Sequence, residues 1–289
     1  MLSRGLEVLS KCLARTICMP LPSKTPLRHE LFDQCWQVGT RSKSPDGRPV
    51  KVRIGHIGLY VLSGSKSART IFKSSKSVSK DSAQEMLFRN SGMKKSDLNV
   101  FIKDTSGVSI EPRIDLPEEQ RIRKHVHTIG HNFLANSSAV ESLSAHFLEV
   151  FNQQLDTQAI GDTITVPIYQ FLKTAMFQAS SDSILGTQIS KMNPDFVKNF
   201  WDYDDAFLTM AIGVPKFLYG KGYQALENIL DASKSWIELG WEEFDQKDKE
   251  KDWERNFGSR WIRELIFALE KAGVSREGQS IAMLSLIWA

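Results

Sequence analysis

Three cysteines, Cys12, Cys18 and Cys35, are all that the 289 residues contain, and each lies within the first 35. A disulfide framework therefore cannot hold the main body, and chemistry that needs a cysteine cannot be carried there. Long apolar runs are missing near the amino end. Thr16–Ser23 is uncharged but broken by Pro20 and Pro22, and it falls short of the roughly 20 apolar residues a spanning helix needs. The sequence predicts no transmembrane anchor there. Charge of one sign is scarcely in excess, 37 Lys and Arg against 34 Asp and Glu, and a net +3 makes no case for a nucleic-acid partner. No G-x-S-x-G elbow, Walker loop or kinase signature is present, and no repeat of fixed period appears. What remains is a globular composition, 41% hydrophobic and 25% charged, long enough for two ordinary domains or one large one.

Residues 1–20 set Arg4, Lys11 and Arg15 among Leu2, Leu6, Val8, Leu9 and Leu13. Mitochondrial presequences share this basic amphipathic pattern, but Glu7 counts against one. The segment 1–44 reads as a tail or surface helix. From Arg41 to Lys80, ten Lys or Arg face a single acid, Asp46. Inside that stretch, residues 50–62 alternate apolar and polar side chains and end at Ser63-Gly64, which predicts a β-hairpin followed by a short helix near 65–73. The basic segment 41–80 suits an anionic membrane surface better than nucleic acid, because aromatics that would stack on bases are nearly absent. A plainly solvated face is the simpler account.

Beyond about residue 115 the pattern is helical. Pro117 suits a first helical position with Glu118 and Glu119 in the first turn, and Ile122, Val126, Ile129 and Phe133 form one stripe. Ser138 to Glu141 reads as a capping box opening a second helix with Leu143, Phe147, Phe151 and Leu155 on its face. Further helices are predicted at about 166–185, 194–212, 217–245 and 256–272, the last closed by Gly273. Ile281–Ala289 is apolar apart from Ser285 and belongs in the middle of a large core, so the sequence reads as stopping inside a domain. The expected fold is mainly α with a small β-sheet.

Chemistry-bearing motifs are sparse. His127 and His131 have the spacing of a helical zinc pair, but Thr128 stands where a zinc peptidase carries Glu and no third ligand is placed. They read as structural histidines on a basic face. Gly220-Lys-Gly222 matches part of a dinucleotide-binding turn but lacks the preceding strand, and reads as a loop between helices. Trp201–Asp205 lacks the glycine and distal Glu of a calcium loop and reads as a solvated helix start. The mixed-charge run 242–255 reads as an exposed helix end or loop, with Trp236, Trp241, Trp253 and Trp261 around it as core or staple residues.

Taken in order, a basic hairpin, a short helix, a loop and a long run of helices ending in an apolar one resemble the amino-terminal half of a cytochrome P-450, a haem-thiolate monooxygenase. Fungal members are the most similar. The matching stretches are Gly58–Phe72, Pro117–Phe133 and Gln279–Ala289, within a resemblance covering roughly 45–289. The implied fold is an incomplete P-450-like helical domain ending inside its central long helix, with 1–44 outside it.

In that family a W-x-x-x-R pattern on the helix matching 117–134 contacts a haem propionate. Aligned on Phe133, those positions fall on Ile122 and Val126, a departure from the pattern. Arg123 and His127, one turn apart on the adjoining face, are the residues placed to contact a propionate instead. The resemblance implies a substrate pocket using the loop near 88–115, the helix ends near 208–220, and Leu286, Ile287 and Ala289. It implies haem as cofactor, a small apolar substrate, a reductase as redox partner, and the endoplasmic reticulum membrane as the usual location. No cysteine after Cys35 is present to ligate iron, so the axial metal ligand is absent and this chain is expected to be inactive by itself. The reading from another class is a non-catalytic helical binding or scaffold protein.

Overall fold

A computed structural model describes residues 49–54, 57–62, 64–73, 81–158, 165–211 and 214–288. It divides into two compact units, Met1–Ser82 with Ile212–Tyr219, and Ala83–Ala211 with Gly220–Ala289.

In the first unit, β1 (Val50–Ile54) and β2 (Ile57–Val61) pair antiparallel, Val50 opposite Val61 and Ile54 opposite Ile57. The alternating sequence forms the hairpin as expected. Lys51 lies directly across from Tyr60, its ammonium 5.6 Å from the ring centre, a cation–π pair that helps to fix the register. Gly64, at φ +84°, turns the chain into α1 (Ser65–Lys73), which has the span the sequence predicts and buries none of its side chains.

The second unit is helical. α2 (Asp81–Asn90) and α3 (Lys95–Lys103) come first. They occupy much of the stretch 88–115 read from sequence as loop, and Phe88, Leu98 and Phe101 anchor them in the core. A 3₁₀ turn at Glu118–Gln120 precedes α4 (Ile122–Ala135), followed by α5 (Ser137–Gln158) and α6 (Ile168–Leu185). α7 (Gln188–Met192), α8 (Phe196–Ala211) and α9 (Gly220–Glu243) come next. A two-residue ladder of β3 (Trp253–Glu254) and β4 (Gly258–Ser259) leads into α10 (Arg260–Lys271) and α11 (Arg276–Trp288). α8 packs on α9, α5 on α6, α9 on α11 and α10 on α4.

Local physics departs from the sequence pattern at several helix starts. Pro117 caps the 3₁₀ turn, not a long helix, because Arg121 at φ −85° and ψ 56° interrupts the path before α4. Asn136, not Ser138, caps α5. Its side-chain oxygen accepts from the Ser138 and Ala139 amides at 3.1 and 3.3 Å. Gly220 and Gly222 form the first turn of α9, with Gly222 buried, so no glycine loop separates α8 from α9 there. Trp201–Asp205 lies in the middle of α8. At Gly273 the expectation holds: at φ +78° it ends α10, with the Gly273 and Val274 amides returning to the carbonyls of Glu270 and Leu269.

The core centres on α9, α10 and α11. Trp236, Ile237, Phe257, Ile262, Leu265, Ile266 and Met283 are fully enclosed, and Ile281 to Leu284 are all buried. The Phe257 ring meets Trp236, Trp241, Phe244 and Phe267 at centroid distances of 5.2 to 6.4 Å. Two glycines let the end of α6 and the β3–β4 turn touch backbone to backbone. A side chain at Gly186 would strike the Arg255 carbonyl, and one at Gly258 would strike the Ile184 carbonyl. Both glycines have positive φ, +83° and +71°, so size and conformation exclude other residues together.

Candidate functional site

Of the residues named from sequence, Arg123 and His127 lie on α4, which follows the loop 104–117. Asp104 follows the last turn of α3 and is buried. One carboxylate oxygen accepts from the Ser106 amide and hydroxyl at 3.1 and 2.7 Å, and the other accepts from the Arg123 amide at 2.8 Å. That Asx-type turn sets the direction of the loop 104–117. Arg121, only 2% exposed, closes it. Its guanidinium donates to the Ser106 hydroxyl at 3.1 Å and to the carbonyls of Ile110 and Ser109 at 3.0 and 2.5 Å. Five donors in a planar fork suit a loop whose carbonyls have no strand or helix to pair with.

Arg123 is committed in the same way. It donates to the Asp104 carbonyl at 3.0 Å and the Phe101 carbonyl at 3.1 Å, the free carbonyls at the end of α3. A cation belongs there, where helical carbonyls have no partner. Lys124 pairs with Glu118 at 2.7 Å and thereby holds the Glu118 carboxyl below its ordinary pKa. The His125 ring lies 2.8 Å from the Glu118 carbonyl. His127 and His131 stand exposed on the next part of the helix.

A second polar node ties α3 to the start of α11. Buried Asp97 accepts from the Ser275 amide at 3.1 Å and its hydroxyl at 2.5 Å, across 178 residues of sequence. Gly278 allows the approach, since a Cβ there would come within 2.7 Å of the Asp97 carboxylate. Glu277, in the first turn of α11, pairs with Lys234 at 3.2 Å and Lys94 at 3.4 Å. Its own backbone amide, then Lys234, bring its pKa down to about 2. Sequence reading missed Arg121 and Asp97. The Asp104-Thr-Ser106 turn was the available signal for the first; for the second, only the fold brings the partners together.

A third feature is an apolar groove of about 360 Å³ between α5 and α6, lined by Leu143, Phe147, Leu148 and Ile184 with Ser180 and Ser183. Leu286, Ile287 and Ala289, expected to line a pocket, lie outside the residues whose side chains are described. Among the described residues no group of three or more His, Cys, Asp or Glu is placed to hold a metal, and no helix is long and apolar enough to cross a membrane.

The Arg123 guanidinium is spent on α3, His127 is a surface ring, and none of the three cysteines falls among the described residues.

No protein-family model and no solved structure matches the chain. Curated relatives do. Cytochrome P-450 monooxygenase calL of Penicillium decumbens is 26% identical over 228 residues, 77% of this chain and 43% of the relative. Cytochrome P-450 monooxygenase efuG of Hormonema carpetanum is 25% identical over 251 residues, 84% of this chain and 42% of the relative. Cytochrome P-450 monooxygenase fsoE of Humicola fuscoatra is 22% identical over 250 residues, 84% and 41% of the two chains. The chain thus spans about two-fifths of the length of the curated relatives it matches. In sequence over most of its length, and in a largely helical fold with a small hairpin, this chain is a P-450-like relative of fungal monooxygenases.

Proposed function

We propose that this chain forms the amino-terminal part of a haem-thiolate monooxygenase fold, and that the 289-residue polypeptide alone neither holds haem stably nor turns over. Similarity to three named monooxygenases across 77–84% of the chain carries the first part. The absence of any cysteine after Cys35 supports the second. In a completed fold the haem would supply oxygen activation, which depends on an axial thiolate.

The residues of this chain contribute scaffold. Arg121, Asp104 and Arg123 fix the loop 104–117 against α3 and α4, and Asp97 with Ser275 sets the start of α11. We assign the propionate contact of the completed fold to this face of α4, through His127, or through Arg123 once released from the α3 carbonyls. Leu286, Ile287 and Ala289 would face a small apolar substrate, electrons would come from a reductase, and the basic segment 41–80 would rest on a membrane surface.

The test is haem content and the carbon-monoxide difference spectrum of the purified 289-residue chain. No stoichiometric haem and no thiolate-type band are expected; finding both overturns the proposal. The scaffold reading draws on the open α5–α6 groove. A monodisperse, cooperatively unfolding chain without added haem would favour it, whereas exposed apolar faces awaiting the rest of the fold would give aggregation.

A further inference from the structure

His127 and His131 stand one turn apart on α4, both exposed, with ring centres 6.3 Å apart and ring planes 20° from parallel. Among the described residues, no hydrogen bond or ion pair engages either ring. The neighbouring histidines differ. His125 meets the Glu118 carbonyl at 2.8 Å, and His146 stacks on Trp253 at 3.9 Å. Of these four rings, then, the two left open toward solvent share a helix face.

Neutral imidazole is the commonest protein ligand for borderline divalent ions. With metal–nitrogen bonds of about 2.0 Å, two rings cis on one tetragonal Cu²⁺ ion have centres about 4.5 Å apart. The observed 6.3 Å is about 2 Å wider, which rotation of two exposed side chains between staggered wells can close without moving the backbone. The helix supplies the preorganisation, since spacing by four residues holds both Cβ atoms on one face.

We propose that His127 and His131 form a bidentate site for a divalent transition-metal ion on the surface of α4, preferring Cu²⁺ over Ni²⁺ and Zn²⁺ as the affinity order of nitrogen sites requires. No third protein ligand is placed beside them among the described residues, so the remaining positions belong to water and the ion exchanges freely. Occupancy staples one turn of α4. The site itself needs no haem and does not rest on the function proposed above.

The experiment is a Cu²⁺ titration of the purified 289-residue chain with its cysteines alkylated, followed by calorimetry and by electron paramagnetic resonance. One ion per chain with two-imidazole nitrogen hyperfine structure is expected. His127→Ala and His131→Ala should each weaken binding on the order of tenfold or more through loss of the chelate. His131→Ala combined with Asn132→His restores the number of histidines but not the one-turn spacing, and should bind as weakly as His131→Ala alone. His146→Ala should bind like the parent. Trp261 packs against Gly130 and Phe133 of α4, so its fluorescence should be quenched in the parent and not in either single variant. Unchanged affinity in His127→Ala or His131→Ala, recovery in the double variant, or a spectrum with fewer than two nitrogens overturns the proposal.

Discussion

The junction of α3 with α4 and the packing of α9, α10 and α11 hold their helices by opposite means. At the junction, Arg121, Arg123 and Asp104 reach backbone groups through at least six directed hydrogen bonds, and Ile110 and Val108 beside them are open to water. In the core, Trp236, Phe257, Ile262 and Leu265 are sealed and apolar packing dominates, with buried Arg263 as a directed exception that donates to the Gly258 and Lys251 carbonyls. Apolar packing is roughly proportional to buried area and indifferent to direction, whereas each charged bond at the junction specifies one partner. The core therefore sets how stable the domain is, and the junction sets where one loop runs.

Substitutions should separate these roles. Trp236→Ala removes a fully buried ring whose indole also donates to the Asn256 carbonyl at 2.9 Å. A loss of about 3–5 kcal/mol is expected, read by urea unfolding, and a loss below 1 kcal/mol would break the comparison. Arg121→Met keeps much of the stem but strands the Ser109 and Ile110 carbonyls. Its global cost should be smaller, about 1–3 kcal/mol, with cleavage inside 105–117 accelerated in limited proteolysis. Equal proteolysis of parent and variant would show that the arginine does not hold the loop.

The smallest effect belongs to Glu277. Its pKa falls from 4.5 to about 2 on folding, so the folded state favours the carboxylate. That contribution is complete above the unfolded pKa and fades as pH drops from about 5 toward 2, because protons then bind the unfolded chain more tightly. Glu277→Gln should lower the neutral plateau by that modest contribution and flatten the acid limb over that window, so that the two curves meet toward pH 2. An acid limb identical to that of the parent would remove Glu277 from the account. The group is nearly half exposed, so the shift should be modest and sensitive to salt.

How far these regions could be read from sequence follows from the same contrast. The hairpin at 50–62, α1 at 65–73, the end of α10 at Gly273 and the burial of Ile281–Leu284 all rest on periodicity or on one glycine conformation, which are local properties. α2 and α3 escaped because nine or ten residues give barely two turns of apolar stripe, and tertiary contacts of Phe88 and Phe101 decide them. Gly220 and Gly222 look like a break because glycine disfavours helices, yet Gly222 is buried inside α9. Arg123 was legible only as a cation on α4; its partners are carbonyls at the end of α3, 19 and 22 residues away, which no pattern in α4 announces. The Asp97–Ser275 bond, across 178 residues, lies further still from anything periodic.

The crossing of Gly186 with Gly258 carries a mechanical consequence. Where two main chains meet with no side chains between them, neither can slide or tilt without carrying the other. The tail of α6 and the turn ahead of α10 are in effect riveted. α10 in turn meshes with α4 through Trp261 on Phe133, ring centres 6.0 Å apart. A torque applied to α6, by whatever comes to lie in the groove it shares with α5, would be geared through α10 to the helix that bears His127 and His131.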